Sequence, residues 1–150
     1  MYSFRVANSL DIPNLSKLLN ELFSLEKEFI PNETLQKKAL ETIINDEKIG
    51  NILVCTYENR VVAMVNLLYS FSTALGSRVV ILEDMIVSNE YRDKNIGSKL
   101  LEFAKEFAKS KGIERITLLT DDDNLKAHKF YEKNGFKKSS MVVFRTFLNE

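Results

Sequence analysis

The feature that most constrains this chain is a change of hydrophobic period near residue 90. Ahead of it, Ile52–Tyr57, Arg60–Ser72 and Val79–Val87 are apolar, β-branched runs separated by short turn signals, which read as strands. Behind it, Ile96, Leu100, Phe103 and Phe107 recur at i, i+4, i+7 and i+11 with charges between them, the pattern of an amphipathic helix. Glu58-Asn59 and Leu75-Gly76-Ser77 are long enough only for hairpin turns, so the three strands form an antiparallel meander. The helix then carries the chain across to Ile116–Thr120, a buried strand that should lie parallel to Val79–Val87.

The flanks extend this plan. Tyr2–Ala7 alternates as a first strand. Asp11 before Ile12-Pro13 starts a helix whose Leu15, Leu18, Leu19 and Leu22 keep helical spacing and which fades through Phe23–Ile30. Asn32 caps a second helix with an apolar stripe of Leu35, Ala39, Ile43 and Ile44, closed by Gly50-Asn51. Gly112 closes the amphipathic helix. A last helix starts at Asn124 and stops at Gly135, and Met141–Leu148 reads as a final strand. The expected order is β-α-α-β-β-β-α-β-α-β, and the class is α+β, or mixed α/β.

The chain has 150 residues, with 45% apolar and 28% charged, ordinary for one globular domain spanning residues 1–150. Its longest apolar stretch, Val61–Tyr69, falls far short of the ~20 residues that cross a bilayer. Cys55 is the only cysteine, which excludes an internal disulfide and a cysteine-based zinc site within one chain. Met1–Arg5 lacks the basic-then-apolar start of a secretory leader, so a reducing cytoplasm is the expected location. Net charge is zero, with 21 basic and 21 acidic side chains, which argues against non-specific nucleic-acid binding. The balance is uneven: residues 92–150 hold 13 basic and 9 acidic groups, against 6 and 8 in residues 1–50. That asymmetry fits either solvated helix faces or an anionic ligand at one end.

Three constellations carry chemistry. Glu90–Lys99 joins a strand to a helix through Gly97, so helix N–H groups and the dipole's positive end converge there, with Arg92, Lys94 and Lys99 adding charge. It is an anion turn or simply a turn; neither G-x-G-x-x-G nor G-x-x-x-x-G-K-[ST] is present. In Asn124–Phe136, Tyr131 lies seven residues past Asn124 on nearly the same face, and Phe130-Tyr131 is core or catalyst. In Leu82–Val87, Glu83 and Asp84 sit on opposite faces of an apolar strand. Such a carboxylate is a salt-bridged structural acid, or one desolvated toward the range useful for a base.

Together the three resemble the GNAT superfamily of acyl-CoA-dependent N-acetyltransferases. The family's phosphate turn, R/Q-x-x-G-x-G/A, matches Arg92-x-x-Asn95-x-Gly97, with Asn95 where the family has glycine. The family's N-x-x-A-x-x-F-Y-x-K-x-G-F matches Asn124–Phe136 at every fixed position. The resemblance covers almost the whole chain and implies a central mixed sheet of about six to seven strands with helices on both faces. It implies acetyl-CoA in a gap between the strand ending at Val87 and Ile116–Thr120, held by Met85, Ile86 and Val87 on the pantetheine arm. The amides of Lys94, Asn95, Ile96, Gly97 and Ser98 would hold the pyrophosphate, with Arg92, Asp93, Asn124, Lys126 and Ala127 completing the cofactor site. Glu83 would be general base, directly or through water, and Tyr131 general acid to the CoA thiolate. A primary amine of a small molecule would be the acceptor, in a ternary complex, with no metal. Part of the pattern looks like the diamine and thialysine branch, where the acidic Glu21, Glu26 and Glu28 suit a cationic acceptor and Glu26 is a substrate contact. A homodimer, and a catalytically silent acyl-CoA-binding module, are the alternatives that the family leaves open. No nucleic-acid or membrane partner is expected.

Overall fold

The computed structural model describes residues 1–26 and 29–149, so Glu28 of the acidic connection lies outside the described residues. The chain divides into two compact units, Met1–Leu119 and Thr120–Glu150.

The first unit is built on strands β1 (Tyr2–Val6), β2 (Gly50–Tyr57), β3 (Arg60–Ser72), β4 (Ser77–Val87) and β5 (Ile116–Leu118). They lie side by side in sequence order. Every neighbouring pair is antiparallel except β4 and β5, which are parallel. The β2–β3 turn closes because Glu58 and Asn59 both take positive φ, which matches the twist of the flanking strands.

Helices α1 (Ile12–Leu25) and α2 (Glu33–Ile44) cover one face. Leu15, Leu18, Leu19 and Leu40 form one cluster with Ile52, Val54, Met64 and Ile86. Leu53 and Cys55 alternate with Ile52 and Val54 and so point the other way. There α3 (Ile96–Ser110) packs on β2, β3 and β4, burying Leu100, Leu101, Ala104 and Ala108. Each fully buried leucine contributes ~1.5–3 kcal/mol, enough for this layered core to hold without staples.

Two expectations change. The sheet has five strands rather than six to seven, and the element order ends in helix α4 (Leu125–Lys133) instead of a strand. Residues 141–148 join no strand ladder among the described residues, and without a ladder to take up its N–H and C=O groups an apolar run does not become a strand. The stripe of α2 is rotated: Leu35 and Ala39 face out, while Gln36 and Leu40 are buried. Gln36 is drawn in because its Nε2 donates to the Ser16 carbonyl and hydroxyl and to Asn20 Oδ1, and its Oε1 accepts from the Asn32 N–H. Asp11 stands at the start of α1 as its N-cap, as expected, with Pro13 in the first turn, although its side chain makes no cap bond there. Its carboxylate accepts from the Asn8 N–H at 2.8 Å and from Arg5 through two bonds of 2.7 and 2.9 Å. Burial works against the Asp11 charge, but these partners outweigh it and hold the carboxyl below its usual range.

Candidate active site

The β3–β4 ladder breaks at one place. Between the pairs Met64↔Ile86 and Asn66↔Glu83, Val65 on β3 faces both Asp84 and Met85 on β4. The extra residue is accommodated by Asp84 in the left-handed region, φ 56°. A bulge of this kind takes backbone groups out of the ladder and re-aims a side chain. The other edge of β4 opens at the same level. Its parallel pairing with β5 ends at Leu82↔Leu118, so residues 83–87 extend past β5. Beyond Leu82 this edge of β4 is not covered by β5, which is the kind of edge an extended ligand arm needs, although Arg92 takes the Val87 carbonyl.

The two acids of β4 do not sit alike. Glu83 is exposed, and the desolvation expected of a strand carboxylate falls on Asp84 instead. Burial pushes the Asp84 carboxyl above its usual range, and a 3.2 Å hydrogen bond from Asn66 Nδ2 only partly offsets this. Asn66 is itself buried, and its Oδ1 has no partner among the described residues. The pair is thus short of donors: the Asp84 carboxylate takes one N–H from Asn66, and among the described residues the Asn66 amide oxygen takes none.

Beyond Val87 the chain makes a short 3₁₀ turn, Asn89–Tyr91, and then the turn into α3. Arg92 Nε donates to the Val87 carbonyl at 3.0 Å, tying the turn to the end of β4, and its Nη1 reaches Asn89 Oδ1 at 3.3 Å. Asp93 and Asn95 both have φ 63°. Asn95 is the N-cap of α3 in the left-handed conformation without a side-chain cap bond, which is how the turn is made where the pattern has glycine. Ile96 is buried and anchors the helix, while Lys94 and Lys99 stay exposed around its N-terminus. A helix start of this charge fits a pyrophosphate.

In the second unit Asn124 caps α4, its Oδ1 accepting from the Ala127 N–H at 3.1 Å. Lys126 and Ala127 follow in the first turn. Tyr131 is half-buried, with its ring edge-on to Phe130 and Phe136 at 5.1 and 5.7 Å. Gly135, at φ 93°, ends the helix. Glu26 is the C-cap of α1 and is half-buried; nearby in sequence, Glu21 Oε2 is buried without a partner among the described residues.

A model of the GNAT acetyltransferase family matches residues 14–136. The chain belongs to this family. An uncharacterized N-acetyltransferase of Bacillus subtilis, YhfO, is 29% identical over 94% of this chain and 93% of its own length. The thialysine N-epsilon-acetyltransferase of Bos taurus is 32% identical over 87% of this chain and 81% of its own. Among solved structures, a possible acetyltransferase from Clostridium difficile shares the fold with a TM-score of 0.91 at 20% identity, covering 100% of this chain and 99% of that one. An acetyltransferase from Clostridium acetobutylicum, solved with acetyl-CoA, has a TM-score of 0.80 at 16% identity, covering 100% and 99%.

As a GNAT N-acetyltransferase, the chain has its β4 acids and the α3 turn in the first unit, and Asn124 and Tyr131 in the second. Among the described residues no helix is long and apolar enough to cross a membrane, and no group of three His, Cys, Asp or Glu side chains is placed to hold a metal. Cys55 is fully buried, and desolvation pushes its thiol up to about 11 despite nearby Lys99. Sequence reading missed Asn66. An amide inside the otherwise apolar run Val61–Leu68 is the signal that points to it, because a buried amide needs a polar neighbour.

Proposed function

We propose that this single domain, residues 1–150, transfers the acetyl group of acetyl-CoA to a primary amine of a small molecule. The observation that carries the reading is the β4 bulge beside a strand edge that β5 leaves uncovered, with a base candidate and a cationic helix start in the same stretch of chain. Met85–Val87 would hold the pantetheine arm, and Arg92–Ser98 the pyrophosphate. Asn124, Lys126 and Ala127 would complete the cofactor site.

An alkylamine is mostly protonated at neutral pH, so a proton must leave before nitrogen can attack. Glu83 would take it, directly or through a water. The amine nitrogen then bonds to the thioester carbonyl carbon, the carbon–sulfur bond breaks, and Tyr131 gives its phenolic proton to the departing thiolate. A thiol titrates near ~8.5 and a phenol near ~10, so on ordinary values this transfer is uphill by about 2 kcal/mol, small enough to be crossed. A second reading is favoured by Asn66 and Asp84: the desolvated carboxyl at the bulge takes the amine proton in place of Glu83. A diamine or polyamine acceptor is supported by the acidic α1 end, where Glu26 would be the contact and Glu21 Oε2 is an acceptor without a partner among the described residues. One of the relatives is, by its name, an acetyltransferase of the ε-amine of thialysine. We place the enzyme in the cytoplasm, where acetyl-CoA is made available, and as a homodimer.

The test is thiol release from acetyl-CoA across a panel of amines, beside thermal unfolding with CoA. At ~100 times its dissociation constant a ligand adds about 2.7 kcal/mol, a rise of several degrees for a chain this size. Glu83→Gln and Tyr131→Phe should keep that rise and lose turnover. A rise without turnover on any amine, in the parent chain, would instead support an acyl-CoA-binding module.

A further inference from the structure

At the end of β4 remote from the bulge, the first unit holds a polar cleft of about 270 Å³. It is lined by Glu47 and Lys48 of the α2–β2 connection, Asn51, Tyr69, Arg78 and Lys111. Arg78 opens β4 and Lys111 caps the C-terminus of α3, whereas the bulge and the pyrophosphate turn lie at the other ends of the same two elements. Fifteen helical residues at ~1.5 Å each separate the ends of α3 by about 22 Å, so this cleft is not an annex of the acetyl-transfer site.

The cleft is built rather than incidental. The Arg78 guanidinium lies over the Tyr69 ring, 4.6 Å from its centroid, and donates to the Lys111 carbonyl at 3.2 Å. Stacking and a hydrogen bond together fix its plane. The Tyr69 hydroxyl donates to Asn51 Oδ1. The connection that carries Lys48 is pinned too: the Lys48 N–H donates to Asp46 Oδ1 at 3.0 Å, and the Tyr69 N–H to the Ile49 carbonyl at 3.0 Å. Rigid walls are the condition for a site to bind without a large ordering cost.

Its charges are not balanced internally. Three cations, Lys48, Arg78 and Lys111, surround the space against one carboxylate, Glu47. The Lys48 ammonium has no ion pair or hydrogen bond among the described residues, and Lys111 Nζ lies over the Phe107 ring at 5.5 Å. The surplus of two positive charges is complementary to a phosphate group, which carries about −1.5 to −2 at neutral pH. A bare phosphate would leave much of 270 Å³ empty, and sites for small organic ligands begin near ~300 Å³. We propose that this cleft binds a small phosphate monoester, its phosphate between Lys48, Arg78 and Lys111 and its organic part along Asn51 and Tyr69. The proposal does not depend on the acetyl-transfer reading.

Residue-resolved amide NMR of the full chain, titrated with glycerol 3-phosphate and in parallel with succinate, tests it. Glycerol 3-phosphate should move the amides of Lys48, Asn51, Tyr69 and Lys111 in a saturable way within the millimolar range. Lys48→Gln with Lys111→Gln should weaken that binding about tenfold or more while leaving the rest of the spectrum in place. Shifts confined to residues 92–98, meaning that the monoester goes only to the pyrophosphate turn, would overturn the proposal. So would equal binding by succinate, which would make the ligand a dicarboxylate, or titrations unchanged in the double variant.

Discussion

The two halves of β4 make opposite use of the same strand. From Ser77 to Leu82 it is paired on one edge with β3 in unbroken register, and Val80, Ile81 and Leu82 are paired on the other with β5. Val79, Val80 and Leu82 are buried there. From Glu83 to Val87 the β5 edge is open, the β3 ladder is bulged, and a carboxyl sits in a left-handed conformation next to a buried amide. Regular pairing stabilises the first half. Departure from it leaves backbone and side-chain groups available in the second, which is where acetyl transfer would take place. Strain at the bulge is tolerable because the neighbouring half holds β4 in regular register.

The sharpest way to break this comparison is to remove the chemistry without touching the packing. Glu83→Gln should lower kcat by ~10²–10⁴ in steady-state thiol release, as loss of a general base does, with the unfolding midpoint nearly unchanged. If Asp84→Asn produces the larger loss, the desolvated carboxyl is the proton acceptor and Glu83 a bystander. The converse change is Leu67→Ala. Leu67 is fully buried and pairs with Leu82 in the regular half, so truncation should cost about 2–5 kcal/mol in chemical denaturation while kcat holds at temperatures where the variant stays folded.

Smaller effects come from the charges. Asp84 has a carboxyl held above its usual range, so its ionised form burdens the folded state. Asp84→Asn should therefore raise the thermal midpoint at pH 7. The gain should shrink as pH falls through the raised folded-state pKa, where the parent becomes protonated, and it should be clearly smaller at pH 4. Asp11 has the opposite sign. Its folded pKa is lowered, so the Arg5–Asp11 pair contributes above the ordinary carboxylate pKa and is lost as pH falls through the lowered one. Because Arg5 is partly exposed, Asp11→Asn should cost only about 1 kcal/mol near neutrality, measured by denaturation at pH 7 and pH 3. Smallest of all, Cys55 in the native chain should resist alkylation at pH 8, because its thiol is buried and pushed up to about 11.

Much of this was legible in the residues. Periodicity located β2, β3, β4 and α3 closely, because each buries one face and writes that face into its spacing. The turn at Asn95 was legible for a related reason: few side chains other than glycine and asparagine accept its backbone conformation. The stripe of α2 was misread because Gln36 turns inward to hydrogen-bond partners on α1 that are distant in sequence. The bulge was hidden too. Strict alternation placed Glu83 and Asp84 on opposite faces with nothing to mark the skipped partner, and so the environments of the two acids could not be told apart. At residues 141–148 the run of apolar side chains suggested a strand, but a strand exists only where a neighbour accepts its hydrogen bonds.

The sheet's strict sequence order has a consequence for how the chain acquires its structure. The β2–β3 and β3–β4 ladders join segments that follow one another through tight turns, so they close short loops and should form early. The Tyr2–Val6 strand is different. It waits for Leu53–Tyr57, with both helices of the first face strung along the intervening loop. On a ribosome, this strand is thus held without its partner until residues 53–57 have followed it. Order of synthesis and order of assembly run in opposite directions at this edge of the sheet, and refolding of the full-length chain should show the N-terminal strand docking after the meander.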